Sequence, residues 1–282
     1  MIKRIQRRFM YRPLRGNVEL DASLVPSGTV QDVRVPTDDG LELHGWHSIA
    51  KDGHVERPLC LFFPGNSGHR GCRLRDLELF NRVGCDGLLV DYRGYAENPG
   101  KPAEPHIAAD AHTIWRFVLE SLKVSADRII VVGNSLGGGV ATRLAMELCE
   151  QGTPPAGLVL RGTFSSMPDA VAAIYPWLKV QRILVDRYPS IDRVPHITCP
   201  LLIFHGTLDE VLPIDQGRRL FEAAPAKSSN GIKKRFVELA EAGHNNMAHV
   251  AGDEMAKGLS EFIDAIAAAN LDDSPKTTGH AS

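Results

Sequence analysis

The chain has 282 residues, of which 43% are hydrophobic and 23% charged, a composition typical of a globular domain in water. Its formal net charge of −2 gives no electrostatic reason to expect nucleic acid binding. No run approaches the ~18 apolar residues that suggest a membrane span, and residues 1–16 lack the apolar core of a secretory signal peptide. Five cysteines without a Cys-x-x-Cys pair favour free thiols in a reducing compartment, so we expect a cytoplasmic protein.

Residues 1–16 form a basic arm. The arm has no acidic residue and six cationic ones: Lys3, Arg4, Arg7, Arg8, Arg12 and Arg15. Ile2, Ile5, Phe9 and Met10 can share one helical face, a pattern that suits an anionic membrane surface. The alternative is a solvated arm whose Phe9 and Tyr11 pack onto the domain. We favour this alternative and keep a weak, peripheral membrane contact through residues 1–16 as the second interpretation.

Strand and helix patterns alternate along the rest of the chain. Residues 30–49 alternate apolar and polar side chains around Asp38-Asp39-Gly40, which predicts a β-hairpin with Gly40 at positive φ. Short apolar runs predict buried strands at 59–63, 87–91, 129–132, 157–161, 201–204 and 236–239. Apolar periodicity predicts helices at about 71–83, 104–122 and 255–268, and one that begins at Leu136. This order predicts an α/β fold, with a mostly parallel central sheet and helices on both faces.

We expect one α/β domain over residues 17–270. Within it, short helical patterns at 164–198 predict a small cap. Five apolar cap residues are expected to line a modest acyl pocket: Tyr175, Trp177, Leu178, Ile183 and Leu184. Residues 271–282 are small and polar, which predicts a disordered tail.

The motif around Ser135 carries the first functional prediction. Gly133-Asn134-Ser135-Leu136-Gly137 fits the pattern Gly-x-Ser-x-Gly and lies between a predicted buried strand and an amphipathic helix. That context is typical of a nucleophile elbow, a tight turn that exposes the serine Oγ above the sheet. A serine hydroxyl needs a base to take its proton, and the base needs a carboxylate to orient it.

The predicted base and acid follow the serine in the order that such a sheet requires, with the acid before the histidine. His244 is the predicted base, because it lies in a loop between the last predicted strand and the last helix. Asp209 is the predicted acid, because it follows the strand 201–204 by a short turn. Glu210 and Asp215 are the rivals. Glu210 would point elsewhere, and Asp215 suits the first turn of a helix, where a negative charge is favourable.

An oxyanion intermediate requires two backbone N–H donors. The residue after the nucleophile, Leu136, is expected to supply one. The loop after the strand 59–63 is expected to supply the other, from Asn66. Gly65 and Gly68 would let that loop approach a substrate closely.

These segments resemble those of the α/β-hydrolase superfamily, and in particular its small-cap serine hydrolases, which include membrane-anchored lipid and thioester hydrolases. Five segments carry the resemblance between about residues 30 and 268: Pro64-Gly65-Asn66, Asp91-Tyr92-Arg93-Gly94-Tyr95, Gly133-Asn134-Ser135-Leu136-Gly137, His205-Gly206-Thr207-Leu208-Asp209 and Gly243-His244-Asn245. The resemblance implies the roles assigned above and a supporting role for residues 91–95. Two features depart from it: the family usually has His at the position of Pro64, and many members have an amino-terminal membrane anchor.

We therefore expect a serine hydrolase that cleaves a carboxylic ester or thioester, with a small acyl compound as its substrate. No metal-ligand spacing or cofactor motif is present, so we expect neither metal nor organic cofactor. Two alternatives remain open. One is a peptidase or amidase with the same three residues, and the other is a non-catalytic binding protein with this fold.

Overall fold

The computed structural model describes residues 2–51, 56–175, 177 and 183–272. Its helices are α1 (Ile2–Met10), α2 (Leu74–Arg82), α3 (Glu104–Glu120), α4 (Leu136–Glu150), α5 (Met167–Ile174), α6 (Ser190–Arg193), α7 (Asp215–Ala223), α8 (Met247–Val250) and α9 (Gly252–Asp272). Its strands are β1 (Arg12–Pro13), β2 (Gly28–Pro36), β3 (Glu42–Ala50), β4 (Leu59–Phe63), β5 (Ser67–Gly68), β6 (Asp86–Val90), β7 (Ile129–Asn134), β8 (Gly157–Arg161), β9 (Leu201–Gly206) and β10 (Arg235–Leu239).

The described residues contain an eight-stranded sheet in the order β10-β9-β8-β7-β4-β6-β3-β2. β2 and β3 pair antiparallel and β3 pairs antiparallel with β6, whereas the other neighbours are parallel. The predicted α/β fold is therefore confirmed, including its antiparallel start. The predicted hairpin is β2–β3, and Gly40 in its turn has φ +80°.

Two apolar layers cover the faces of the sheet. Successive side chains of a strand point to opposite faces, so Leu61 of β4 joins the layer beneath α3 and α4, while Phe62 joins the layer beneath α2 and α9. The same alternation separates Val131 from Val132 in β7. Burial on both faces explains why the central strands are continuous apolar runs without polar alternation.

Several element ends differ from the predicted ones by a few residues, and the last helix differs most. α9 begins at Gly252 and ends at Asp272, which is longer at both ends than the predicted 255–268. Residues 271 and 272 therefore belong to this helix and not to the predicted tail. The helix is anchored earlier in its length, where Phe262 and Ile266 are buried. Residues 273–282, the rest of the predicted tail, lie outside the described residues.

The basic arm is a helix followed by a short strand, and both contact the domain. The OH of Tyr11 is buried and lies 2.9 Å from Asp186 Oδ2 and 2.8 Å from the OH of Tyr188. Phe9, in contrast, is 78% exposed, so the expectation that it packs onto the domain was wrong. Met10 contacts the core instead, and adjacent helical residues point about 100° apart, so Met10 and Phe9 cannot face the domain together.

Among the described residues, no helix combines the length and apolar character that crossing a membrane requires.

Candidate active site

The predicted nucleophile, Ser135, is held in a backbone conformation that few non-glycine residues adopt. Ser135 has φ 54° and ψ −117° and connects β7 to α4. Neighbouring glycines make room for the turn, since a Cβ on Gly137 would lie 1.9 Å from the carbonyl oxygen of Phe63. The Ser135 N–H donates to the Arg161 carbonyl at 2.9 Å, and its own carbonyl accepts from Thr163 Oγ1 at 2.8 Å. The turn is therefore fixed from both sides.

Three residues predicted from separate parts of the chain form a hydrogen-bonded series with His244 in the middle. His244 Nε2 is 3.0 Å from Ser135 Oγ, and His244 Nδ1 is 2.7 Å from Asp209 Oδ2. An ionised carboxylate only accepts, so Nδ1 carries the proton and Nε2 is left to accept from the serine hydroxyl. This arrangement can remove a proton from Ser135 and stabilise the resulting imidazolium.

Asp209 is buried, and its hydrogen bonds keep it ionised. Burial by itself would raise the pKa of Asp209, but His205 and His244 lower it by more, so the pKa lies well below the usual range. The second carboxylate oxygen accepts from the N–H groups of Val211 and Leu212, at 3.0 and 2.7 Å. The carboxylate therefore has a fixed direction as well as a fixed charge.

His205 fixes the turn that carries this carboxylate. Its Nε2 donates to the Leu212 carbonyl at 2.8 Å and lies 3.5 Å from Asp209 Oδ2. The rivals for the acid lie elsewhere: Glu210 is exposed, and Asp215 opens α7 and pairs with Arg218, as its first-turn position predicted.

The loop between β4 and β5 carries the predicted second oxyanion donor, and two of its carbonyls accept hydrogen bonds from tyrosine hydroxyls. The Tyr92 hydroxyl donates to the Pro64 carbonyl at 2.8 Å, and the Tyr95 hydroxyl donates to the Asn66 carbonyl at 2.7 Å. Gly65 lies against Ser135, since a Cβ there would be 3.5 Å from Ser135 Cβ. Residues 91–95 thus support the loop, as the sequence motif indicated.

The basic arm also holds this loop. Arg12 N–H donates to the Asn66 carbonyl at 2.9 Å, and Asn66 Nδ2 donates to the Met10 carbonyl at 2.7 Å. β1 then pairs in parallel with β5, with Arg12 opposite Ser67. We name this set of contacts around Asn66 the arm–loop clamp. The clamp also includes the bond from the Tyr95 hydroxyl. No sequence pattern predicted it, because its partners are between 29 and 56 positions apart and mostly backbone groups.

Ser135, Leu136, Asn66 and His244 line a pocket of about 620 Å³, a size suited to a small organic molecule. One side is apolar and comes from Phe164 and from α5, with Met167, Ala170, Val171 and Ile174. The expectation that Tyr175, Trp177, Ile183 and Leu184 line it was wrong, and Leu178 lies outside the described residues. α5 ends at Ile174, so Tyr175 and Trp177 turn outward and pack edge to face on each other, 5.7 Å between ring centroids.

The other side of the pocket is cationic. Arg12, Arg73 and Arg75 line it and have no carboxylate partner among the described residues, whereas Asp76 is paired with Arg161 at 2.5 Å. Arg73 donates to the Ser67 carbonyl at 3.0 Å and has a buried Nε with no hydrogen-bond partner in the described structure. The sequence analysis missed these arginines. Their signal is the group of cations from Arg70 to Arg75, which follows the loop 64–68 directly, where a helix begins and positive charge is unfavourable.

Residues 67–259 match a family model described as the alpha/beta hydrolase fold. The chain is 37% identical over 258 residues to an uncharacterized protein of Mycobacterium tuberculosis, which covers 92% of this chain and 87% of the relative. The chain belongs to the alpha/beta-hydrolase family.

Further relatives and solved structures share this fold. The lysophosphatidylserine lipase ABHD12 of Danio rerio is 29% identical over 260 residues, covering 80% of this alpha/beta hydrolase and 67% of that protein. The Pyrococcus furiosus esterase Pf2001 superposes with a TM-score of 0.69 at 16% identity, covering 91% of this chain and 98% of the esterase. An alpha-beta hydrolase from Vibrio vulnificus superposes with a TM-score of 0.70 at 21% identity, covering 91% of this chain and 93% of that hydrolase. The resemblance drawn from the sequence motifs is therefore confirmed, and the protein is classed among the hydrolases.

Proposed function

We propose that this alpha/beta hydrolase is a serine hydrolase that cleaves a carboxylic ester or thioester through an acyl-enzyme on Ser135. The observation that carries the proposal is the hydrogen-bonded chain from Asp209 through His244 to Ser135 Oγ, with distances of 2.7 and 3.0 Å. His244 takes the hydroxyl proton as Oγ attacks the acyl carbonyl, then returns it to the leaving alcohol or thiol. In the second half-reaction His244 activates water, which releases the acid. Asp209 holds His244 in the required tautomer.

The developing oxyanion is proposed to bind the backbone N–H groups of Leu136 and Asn66. Leu136 is the first residue of α4, where the N–H has no partner within the helix and lies at the positive end of the helix dipole. Asn66 lies in the loop that approaches Ser135 from β4. The oxyanion would therefore meet donors fixed before the substrate binds, which is the arrangement that lowers the barrier.

The two sides of the pocket favour a substrate with an apolar acyl group and an anionic group. α5 offers the acyl group a short apolar wall, and Arg12, Arg73 and Arg75 offer cations to the rest of the molecule. The relative from Danio rerio is named a lysophosphatidylserine lipase, and lysophosphatidylserine is an acyl ester that carries a phosphate and a carboxylate. That name agrees with an anionic ester as the substrate class.

A fluorophosphonate probe tests the proposal, because it labels only an activated serine. We expect stoichiometric labelling of the wild-type protein and none of Ser135→Ala. Loss of a triad serine lowers kcat by roughly 10⁶, so a folded Ser135→Ala protein that keeps more than about a hundredth of the wild-type ester turnover would contradict the role of Ser135. A p-nitrophenyl ester and the p-nitroanilide of the same acid, compared on the wild type, separate an esterase from an amidase.

A further inference from the structure

The outward surface of α1 carries two adjacent rows of side chains, one cationic and one apolar. Arg4 and Arg8 form the first row, and Ile5 and Phe9 form the second, since residues four positions apart are neighbours on a helix. Ile5 is 50% exposed and Phe9 78% exposed. We name these four residues the arm face. Among the described residues, Arg4 and Arg8 have no carboxylate partner, and Ile5 and Phe9 do not pack on the core.

The opposite surface of α1 is bound to the cap segment. Arg7 forms a salt bridge of 2.9 Å with Asp186, whose carboxylate is buried. Gln6 donates to the Ile183 carbonyl at 2.9 Å and accepts from the Val185 N–H at 3.1 Å. An isolated helix of nine residues is marginal in water. These contacts therefore hold the helix in place and keep the arm face directed to solvent.

The arm face lies beside the mouth of the active-site pocket. β1 follows α1 directly, and its Arg12 lines the pocket. On the cap side, Ile174 also lines the pocket, and the next aromatic pair, Tyr175 and Trp177, is exposed, Trp177 to 72%. Exposed apolar side chains thus flank the mouth from the arm and from the cap, and the arm adds cations without a single acidic residue within residues 1–16.

We propose that the arm face and the exposed cap aromatics dock this protein on the surface of an anionic lipid bilayer. The chemistry is complementary. Arg4 and Arg8 face lipid phosphates, while Phe9, Ile5 and Trp177 enter the region between head groups and acyl chains, as amphipathic surface helices do. Arg7 forms the salt bridge with Asp186 that holds α1 on the cap, so it is not one of the lipid-binding cations. When the protein is docked in this way, the mouth of its pocket faces the bilayer. An amphiphilic ester can then pass from the bilayer to Ser135 without crossing water.

Sedimentation with lipid vesicles tests the surface. We expect the wild type to bind vesicles of phosphatidylcholine and phosphatidylglycerol (3:1) in 0.1 M salt, and to bind pure phosphatidylcholine vesicles much more weakly. Arg4→Gln with Arg8→Gln should lower the partition coefficient roughly 30-fold, from the scale of electrostatic attraction per cation. Ile5→Ser with Phe9→Ser should lower it by a similar or larger factor. Because neither pair touches the proposed catalytic residues, turnover of a short water-soluble ester should stay at the wild-type level, which also shows that the variants fold.

Two matched controls lie on other parts of the molecule. Leu271→Ser removes an apolar side chain that is 76% exposed at the end of α9. Lys123→Gln with Arg128→Gln removes two cations that precede β7, at the edge of the sheet opposite Ser135. Both controls should bind vesicles like the wild type. Failure of the wild type to bind anionic vesicles, or equal losses in the controls, would overturn the proposal. A wild-type dimer in solution that Phe9→Ser converts to monomer would assign the surface to a second copy of the chain and overturn it as well.

Discussion

Ser135 occupies a conformation with positive φ, which costs a non-glycine residue about 1–3 kcal/mol. The close approach of strand and helix requires glycine on both sides of it: a Cβ on Gly133 would lie 2.4 Å from the Gly137 carbonyl oxygen, and a Cβ on Gly137 would lie 1.9 Å from the Phe63 carbonyl oxygen. The strained turn lifts Oγ toward His244. The glycines of the motif thus allow a turn that exposes the serine hydroxyl.

Asp209→Asn tests the proposed acid. The amide can donate to His244 where the carboxylate only accepts, so the histidine adopts the wrong tautomer while the fold stays intact. We expect kcat for ester hydrolysis to fall by roughly 10⁴ with little change in KM. Steady-state kinetics on a p-nitrophenyl ester, with circular dichroism as a check on folding, measures the effect.

Glu210→Gln is the matched control for that substitution. Glu210 is adjacent in sequence but exposed, so its loss of charge should leave kcat within a factor of about two, as for surface changes away from a site. If Asp209→Asn leaves kcat unchanged and Glu210→Gln lowers it strongly, Glu210 and not Asp209 is the acid.

At the scale of elements, the arm–loop clamp connects the amino-terminal helix to the proposed oxyanion site. Asn66 is held by its side chain and by two bonds to its carbonyl, from Arg12 and Tyr95. A loop held at three points keeps its N–H groups in place before the substrate arrives. Preorganisation of this kind acts on the transition state more than on substrate binding.

Asn66→Ala and Tyr95→Phe each remove one bond of the clamp and leave the backbone N–H of residue 66 intact. We expect each to lower kcat about tenfold, less than the ~10²–10³ that follows loss of an oxyanion donor, with KM nearly unchanged. The double variant should lose less than the product of the single losses, because both bonds fix the same residue.

Tyr175→Phe is the control for the clamp variants, since it removes the hydroxyl of an exposed tyrosine that does not belong to the clamp. It should keep the wild-type kcat. Equal rises in KM and falls in kcat for the clamp variants, with a lowered melting temperature, would show a general loss of structure and contradict a positioning role.

At the scale of the whole molecule, the pocket places an apolar wall opposite a group of cations. The wall consists of one two-turn helix, α5, and Phe164, so it can cover only a limited length of acyl chain. Each buried methylene contributes about 0.8 kcal/mol, or roughly fourfold in kcat/KM. With p-nitrophenyl esters of graded length in solution, we expect kcat/KM to rise and then level off or fall at medium chain length. A steady rise to the longest soluble esters would contradict a short wall.

The cations predict a preference for anionic substrates. Arg75→Gln should lower kcat/KM for an ester with a carboxylate or phosphate in its leaving group by roughly fivefold, the scale of an exposed ion pair. The neutral ester of the same acid should be unaffected, and 0.5 M salt should reduce the difference because it screens exposed charges. Arg116→Gln, an exposed arginine paired with Asp38, is the control and should not distinguish the two esters. An equal effect of Arg75→Gln on both esters would contradict the preference.

Local sequence patterns were enough to predict the fold class and the three residues that meet at the site. Continuous apolar runs require strands buried on both faces, and parallel strands direct their following loops to one edge of the sheet. Ser135, Asp209 and His244 each follow such a strand, so their meeting is a consequence of topology that local patterns can predict. The hairpin turn at Gly40 and the first-turn position of Asp215 could also be predicted from local patterns. Short-range sterics and the helix dipole act within a few residues.

The residues that surround those three could not be predicted in this way, because they depend on how distant parts of the chain pack together. Whether Phe9 or Met10 contacts the core depends on how α1 lies on the cap, and whether α5 or the aromatic pair after it lines the pocket depends on where that helix ends. Contacts between residues far apart in the chain likewise form the arm–loop clamp and bury Asp186. They also place in the pocket the arginines that have no carboxylate partner among the described residues. Such contacts depend on packing and on backbone groups that every residue possesses, and for that reason no local pattern of side chains predicts them.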